Sequence, residues 1–313
     1  MTTRVDRLWA WLAPLAAPDR RIEVVGGLTL VTVLLTAETT WVLQVGSAVL
    51  AAAAIVDRRL LRSAAFWFAL LAVYVVGVVN LYDVIDNHEY LLGYWLLALG
   101  VSQAVAARGG AAPPPADEDG ATAPATLAES ARLLIGLAFL FATVWKAATP
   151  DYVSGNAFHT FLLFDPRFAG LGAAASDLTL LEGGSNLKVF QSLLDIGDRD
   201  VAVPVADAGG VARLAGLMTW WTLTIEGAVA VGFLAPPRSV VGRARHGLLL
   251  AFLFTTYVLA PVMGFGWTLV AMGLAQAPLD RHRLLLPAFA AAFVLVSVRS
   301  TAPVDRLFAL VFD

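Results

Sequence analysis

Five ionisable side chains lie within or beside strongly apolar segments of the sequence: Glu38, His88, Glu89, Lys146 and Glu226. An ionisable group at the centre of a membrane-spanning helix costs about 2.5–3.5 kcal/mol on insertion scales. Such a group therefore indicates a functional role or a specific partner. Their types suit proton transfer, because a desolvated lysine can lose its proton near neutral pH and histidine titrates in that range.

Lys146 is the strongest candidate for a base. It ends the apolar segment IGLAFLFATVWK, and Lys188 is the only other lysine in a chain with 21 lysine and arginine residues. Arginine does not deprotonate in proteins, so a lysine in a chain that otherwise uses arginine favours an amine base. The alternative is a lysine near a helix end that extends its ammonium to the membrane surface.

His88 and Glu226 each allow two interpretations. His88, in NHEYLLGYW, is a proton carrier or hydrogen-bond donor, or a surface histidine at a capped helix start. Glu226, in TWWTLTIEGAV, has no cation within one helical turn, so it is protonated or has a partner on another helix. Arg213 or Lys146 could be that partner only through the tertiary fold.

The remaining histidines give a weaker signal. His159 follows the turn at Gly155 and either lines a site or faces water, whereas His246 and His282 lie beside arginines and are expected to be solvated. The four histidines have no HxH or HxxxH spacing, and the chain has no cysteine. No metal centre, disulfide or thiolate site is therefore predicted.

The composition predicts an all-α integral membrane protein. Of 313 residues, 59 % are hydrophobic and 14 % charged, and the mean hydropathy is +0.75. Soluble domains carry about 25 % charged residues. A net charge of −3 leaves no basic surface for nucleic acid.

Nine apolar segments are candidate membrane spans, since a helix needs about 20 residues to cross the hydrocarbon core. They are residues 22–38, 41–56, 64–82, 89–107, 130–147, 213–235, 246–261, 264–278 and 284–300. The short segments that meet near Thr39 and Met263 could be hairpins or re-entrant elements, so the prediction is eight or nine transmembrane helices.

Arginine placement predicts the orientation, because cytoplasmic loops collect lysine and arginine. With these spans, the arginines at 20–21, 58–62, 108, 238–245 and 281–283 share one side. The chain is therefore expected to be integral to the cell membrane, with a cytoplasmic N-terminus and residues 148–212 outside.

The organisation predicted is one polytopic membrane domain over residues 1–313. Residues 1–19 read as an amphipathic interfacial helix, with tryptophans at headgroup depth. Residues 109–127, rich in Pro, Ala and Asp, read as a disordered cytoplasmic linker. Residues 148–212 contain many large apolar side chains that need burial, so we expect short helices folded on the outer face.

Two motifs together resemble the membrane domain of the vitamin K-dependent gamma-carboxylase family, also called the HTTM family. The segment Asn87-His88-Glu89-Tyr90-Leu91 is similar to that family's N-H-x-Y-L at the start of a span. Lys146, followed by Pro150-Asp151-Tyr152-Val153-Ser154-Gly155, resembles the family's helix ending in lysine and its Asp-Trp-hydrophobic-x-Gly turn. Here tyrosine replaces the usual tryptophan, and one extra residue follows the lysine.

The resemblance implies an enzyme that uses a reduced naphthoquinone, menaquinone or a vitamin K-type quinol. Its oxidation by oxygen to an epoxide would drive proton abstraction or carboxylation. Lys146 would be the amine base and His88 the partner of the oxygen-derived anion. The residues expected to bind the cofactor are Asn87, Tyr90, Trp145, Asp151, Gly155, His159 and Glu226.

The expected partners are the lipid bilayer, a quinone and an unidentified substrate. The chain stops soon after its last span, so a small or lipid substrate is expected rather than a protein recognised by a large extramembrane part. The alternative is a non-catalytic membrane protein: a quinone or lipid binder, a maturation partner or a small-solute transporter. In that case Lys146 and Glu226 would form a structural pair or a substrate counter-ion.

Overall fold

The computed structural model describes residues 17, 20–36, 40–79, 87–108, 123–196, 204–260, 262, 264–279 and 282–301. The predicted interfacial helix lies almost entirely outside these residues, as do residues 109–122 of the predicted linker. The last residues of that linker belong to a helix that begins at Ala123, and Leu127 is buried in the core.

The described residues form thirteen α-helices and two short 3-10 segments, without a β-strand among them, which confirms the all-α prediction. The first five helices are α1 (Arg21–Thr36), α2 (Trp41–Val56), α3 (Ala64–Val79), α4 (Asn87–Arg108) and α5 (Ala123–Ala148). Four shorter ones follow: α6 (Pro150–Val153), α7 (Asn156–Phe164), α8 (Ala169–Ala175) and α9 (Leu180–Ile196). The last are α10 (Gly209–Leu234), α11 (Val240–Leu259), α12 (Phe265–Gln276) and α13 (Leu285–Thr301).

A helix covers most of each segment predicted as a span. Within the described ranges, three helices are long and apolar enough to cross a membrane: Glu89–Arg108, Pro124–Ala148 and Gly209–Leu234. Three shorter apolar helices cover Trp41–Val56, Ala64–Val79 and Leu285–Arg299. The number of spans remains a prediction.

Small residues allow consecutive helices to pack closely as antiparallel neighbours. A Cβ at Gly46 of α2 would lie 2.6 Å from Val73 of α3, and a Cβ at Gly100 of α4 would lie 2.8 Å from Phe68 of α3. The start of α1 is joined to the 3-10 segment Arg58–Arg62 by an ion pair between Glu23 and Arg62, 2.8 Å long.

Helix α12 lies at the centre of the bundle. Each of its residues from Gly266 to Gln276 is buried, and it contacts α1, α4, α5, α11 and α13. Because it is apolar on every side, burial on all sides is the arrangement that its sequence favours. At about 1.5 Å per residue it is roughly 18 Å long, shorter than the hydrocarbon core of about 30 Å.

A second, smaller core lies beneath the short helices. Phe158, Leu162 and Leu163 of α7 pack with Val211 and Met218 of α10. Asn186 of α9, 2 % exposed, donates a hydrogen bond to the Ala206 carbonyl and accepts one from its amide. The short helices are thereby attached to the first half of α10.

Candidate functional site

The candidate site lies where α5 and α10 pack as antiparallel helices. Thr143 of α5 faces Gly227 of α10, and a Cβ at that glycine would lie 3.6 Å from the Thr143 methyl group. Further along, a Cβ at Gly136 would lie 2.7 Å from Leu234. The glycines bring the two backbones close, so side chains at this interface meet directly.

Lys146 and Glu226 form an ion pair across this interface. Lys146 Nζ donates to Glu226 Oε1 at 2.5 Å, and their side chains are 16 % and 8 % exposed. Lys146 thus pairs within the protein rather than extending its ammonium outward. The carboxylate predicted to need a partner from another helix has one.

A turn after α5 covers the pair. Tyr152 of α6 places its ring centroid 5.9 Å from Lys146 Nζ and 5.4 Å from the ring of Trp145. We call Lys146, Glu226 and Tyr152 the ion-pair site. A cation over an aromatic face is attracted by the ring's electron density, so this ring favours the charged lysine.

Gly155 allows the chain to turn back against α10. Its φ of +88° is a conformation that residues with a Cβ rarely adopt. A Cβ there would lie 3.7 Å from the Gly216 backbone and from Thr219 Oγ1. The turn therefore rests directly on the face of α10 that carries Thr219.

Two buried oxygen atoms at the site have no hydrogen-bond partner among the described residues: Glu226 Oε2 and Thr219 Oγ1. Thr219 and Glu226 are seven residues apart on α10, about two helical turns, so they lie on one face. Burial, and then the charge of Glu226, raise the pKa of the Tyr152 hydroxyl above its ordinary value. The ring therefore stays neutral beside the carboxylate.

The other predicted site residues lie on several different elements. Trp145 is 57 % exposed, and Asp151 is exposed at the start of the turn. His159 Nε2 lies 3.3 Å from Asp207 Oδ1, and that histidine joins α7 to the segment before α10. Tyr90, on α4, is 45 % exposed.

The role of His88 as the partner of the oxygen-derived anion stays a prediction. Asn87 and His88 form the first turn of α4, and their side chains lie outside the described part of the structure. Helices α4 and α5 pack against each other.

The sequence interpretation of His246 was wrong, and two contacts were missed. His246 is 6 % exposed rather than solvated, whereas His282 is exposed as expected. Tyr152 was noted only as a replacement for tryptophan, and Thr219 was not considered. The seven-residue spacing of Thr219 and Glu226 in TWWTLTIE was a signal that could have placed both on one helix face.

Comparisons of the chain with protein-family models, curated proteins and solved structures find no match. No group of three or more His, Cys, Asp or Glu side chains suited to a metal ion occurs among the residues that the structure describes.

Proposed function

We propose that the chain is a carboxylase-like integral membrane enzyme that uses a reduced naphthoquinone, with Lys146 as the base and Glu226 as its partner. The observation that carries this proposal is the contact of Lys146 Nζ with Glu226 Oε1 between two apolar helices, 2.5 Å long and largely buried. A paired lysine and carboxylate with little access to water can exchange a proton within the pair.

A quinol fits the site by its hydrogen-bonding chemistry. Glu226 Oε2 is a buried acceptor with no donor among the described residues, and a quinol hydroxyl is a donor. The Tyr152 ring lies 5.9 Å from Lys146 Nζ and packs on Trp145, and aromatic faces are typical of the sites that bind flat ligands. When bound, a reduced naphthoquinone would be oxidised by oxygen to an epoxide, and this oxidation would supply a strong base. That base would remove a proton from the substrate, which could then be carboxylated.

Lys146 and Glu226 would carry out the first proton transfer. Glu226 accepts the lysine's proton, which leaves the Lys146 amine neutral. A hydroxyl bound beside the pair would then give its proton to Lys146 Nζ: an N–H bond would form, the O–H bond would break, and the oxygen would keep the electron pair. His88 is proposed to stabilise negative charge from the start of α4. Asp151 and Gly155 shape the turn that carries Tyr152.

The experiment uses purified protein in nanodiscs with reduced menaquinone and oxygen. Quinone epoxide is measured by mass spectrometry for the wild type, Lys146→Ala and Glu226→Gln. Lys188→Ala is the matched control, because Lys188 is the other lysine and is exposed on α9. We expect epoxide from the wild type and the control, and a loss of at least about 100-fold in Lys146→Ala, as for removal of a general base.

Two results would overturn this function. One is the absence of epoxide from folded wild-type protein. The other is equal epoxide from Lys146→Ala and Lys188→Ala.

The ion pair also favours a second candidate, a non-catalytic membrane protein in which Lys146 and Glu226 hold α5 to α10 or act as counter-ions for a bound ligand. A pair already satisfied inside the protein needs no reaction to account for it. Menaquinone binding without epoxide formation would select the binder, and a pair whose apolar replacement changes nothing but stability would select the structural role.

The proposed orientation places the N-terminus in the cytoplasm and residues 148–212 outside. It is supported by two groups of contacts between segments predicted on the cytoplasmic side. Glu23 at the start of α1 pairs with Arg62. The start of α11 lies against the end of α10, where the Arg245 backbone is close to Gly232. The chain contains no cysteine, so single cysteines can be introduced directly. We expect an impermeant maleimide to label Leu181→Cys in intact cells and Arg238→Cys only after permeabilisation. The reverse pattern would contradict the orientation.

A further inference from the structure

A second polar group lies at the other end of the α5–α10 interface. Arg132 of α5 donates to the Phe233 carbonyl at 2.5 Å, Arg245 of α11 lies against Gly232, and the His246 ring is 6.2 Å from the Phe233 ring. We call Arg132, Arg245 and His246 the basic cluster. It is independent of the ion-pair site, because Arg132 and Lys146 are about 21 Å apart along α5.

One member of the basic cluster is accounted for by the fold. The carbonyl of Phe233 would bond to the amide of residue 237, but that residue is a proline and has no amide hydrogen. Arg132 supplies the missing donor. It also bonds to both carboxylate oxygens of Glu129, at 2.6 and 2.8 Å. Arg132 thus has a partner at Nε, Nη1 and Nη2, and Glu129 has one at each carboxylate oxygen.

The other two members are not satisfied. His246 is 6 % exposed, and neither ring nitrogen has a partner among the described residues. Arg245 Nη1 donates to the Gly242 carbonyl, but its Nε is buried without a partner. Buried polar groups are rarely left unpaired in folded proteins, so a bound group that accepts hydrogen bonds is the expected complement.

We propose that Arg245 and His246 bind a phosphate group at this end of the bundle, supplied by an anionic phospholipid headgroup or by free phosphate. A phosphate offers several acceptor oxygens and negative charge; the Arg245 guanidinium supplies donors and positive charge, and the His246 imidazole supplies one N–H donor. Both carboxylate oxygens of Glu129, the nearby acid, accept hydrogen bonds from Arg132, although its charge also acts on Arg245.

The exposed surface near the basic cluster carries positive charge. Arg238 is exposed at the same end and attracts anionic lipid to it. The bound phosphate would therefore lie at the lipid-headgroup level, next to the C-terminal end of α10.

The test compares thermal unfolding of the full chain in nanodiscs of phosphatidylcholine alone and of phosphatidylcholine with phosphatidylglycerol. A third arm adds inorganic phosphate to phosphatidylcholine nanodiscs. We expect phosphatidylglycerol to raise the wild-type melting temperature by about 5 °C, as for a ligand at about 100 times its Kd. Stabilisation by inorganic phosphate as well would identify free phosphate as a ligand, and stabilisation by the lipid alone would identify the headgroup.

Two variants locate the effect. Arg245→Gln and His246→Gln should each lose most of the stabilisation, whereas Arg243→Gln should keep it. Arg243 is the matched control because it is an exposed arginine on the same helix. Equal stabilisation of Arg245→Gln and Arg243→Gln would overturn the proposal, as would a wild type that neither lipid nor phosphate stabilises.

Native mass spectrometry of the wild type decides the case if the variants do not fold. Released from mixed nanodiscs, or with inorganic phosphate added, the protein should retain one phosphatidylglycerol or one phosphate in preference to phosphatidylcholine. Retention of neither ligand above the level of phosphatidylcholine would overturn the proposal.

Discussion

The ion-pair site and the basic cluster lie at two ends of the same helix pair, yet they differ in whether their charged groups have partners. In the ion-pair site, Lys146 and Glu226 come from different helices and neutralise each other in an apolar interface. In the basic cluster, Arg132 donates a hydrogen bond to the Phe233 carbonyl at the end of α10. Arg245 and His246 have buried nitrogens without partners among the described residues. The first arrangement holds a proton between two groups, whereas the second is incomplete until something negative binds.

Glu226→Ala is expected to have the largest effect on stability. It leaves the Lys146 ammonium largely buried without its partner, and breaking a buried ion pair costs about 3–5 kcal/mol. The measurement is thermal unfolding in nanodiscs, with Lys188→Ala as a control expected to change the unfolding free energy by less than about 0.5 kcal/mol. A similar small effect for Glu226→Ala would show that the pair contributes nothing to the fold.

The double variant Lys146→Met/Glu226→Leu separates the structural role of the ion pair from its catalytic role. Replacing a buried ion pair by apolar side chains of similar volume is often neutral or stabilising. We therefore expect wild-type stability within about 1 kcal/mol, together with loss of epoxide formation. If the double variant keeps both its stability and its epoxide formation, the pair is neither structural nor catalytic.

Arg132→Gln should cost about 1.5–3 kcal/mol, because it leaves the Phe233 carbonyl without its charged donor at a place where proline provides none. Thermal unfolding in phosphatidylcholine nanodiscs measures this cost, with Arg243→Gln as control. If the two variants unfold at the same temperature, Arg132 does not stabilise the end of α10.

Gly155→Ala is expected to cost about 1–2 kcal/mol, since the φ of +88° is unfavourable for a residue with a Cβ. It should also lower epoxide formation by displacing the turn that carries Tyr152. Gly184→Ala, in α9 with nothing within 4 Å of the added Cβ, is the matched control and should not destabilise. Equal behaviour of the two variants would show that the turn tolerates a side chain.

His246→Leu should have the smallest effect, less than about 1 kcal/mol in phosphatidylcholine nanodiscs, because an unpartnered buried imidazole gains nothing from its nitrogens. The difference between this effect and that of Glu226→Ala tests whether the ion-pair site is satisfied and the basic cluster is not. A loss as large as that of Glu226→Ala would mean that His246 already has a partner in neutral lipid.

The fold was more predictable than the site. Hydropathy located the segments of α1 to α5 and α10 to α13, because apolar runs of this length favour helices wherever they are buried. The linker predicted at residues 109–127 overlaps the start of α5, because its Pro- and Ala-rich composition gives no sign that Leu127 is buried in the core. His246 was misjudged because arginines beside it suggested solvent, although its own helix face points toward Phe233.

The sequence alone determined that Lys146 and Glu226 needed an explanation, because charged groups in apolar segments are costly whatever the fold. It also predicted helices in the apolar segments, since runs of apolar residues follow from local composition. Only the tertiary structure decided that Lys146 and Glu226 are partners, because they are 80 residues apart in sequence and their contact depends on how α5 and α10 pack. The same packing decided that Arg132 is satisfied while Arg245 and His246 are not, since partnership is a property of neighbouring helices rather than of neighbouring residues.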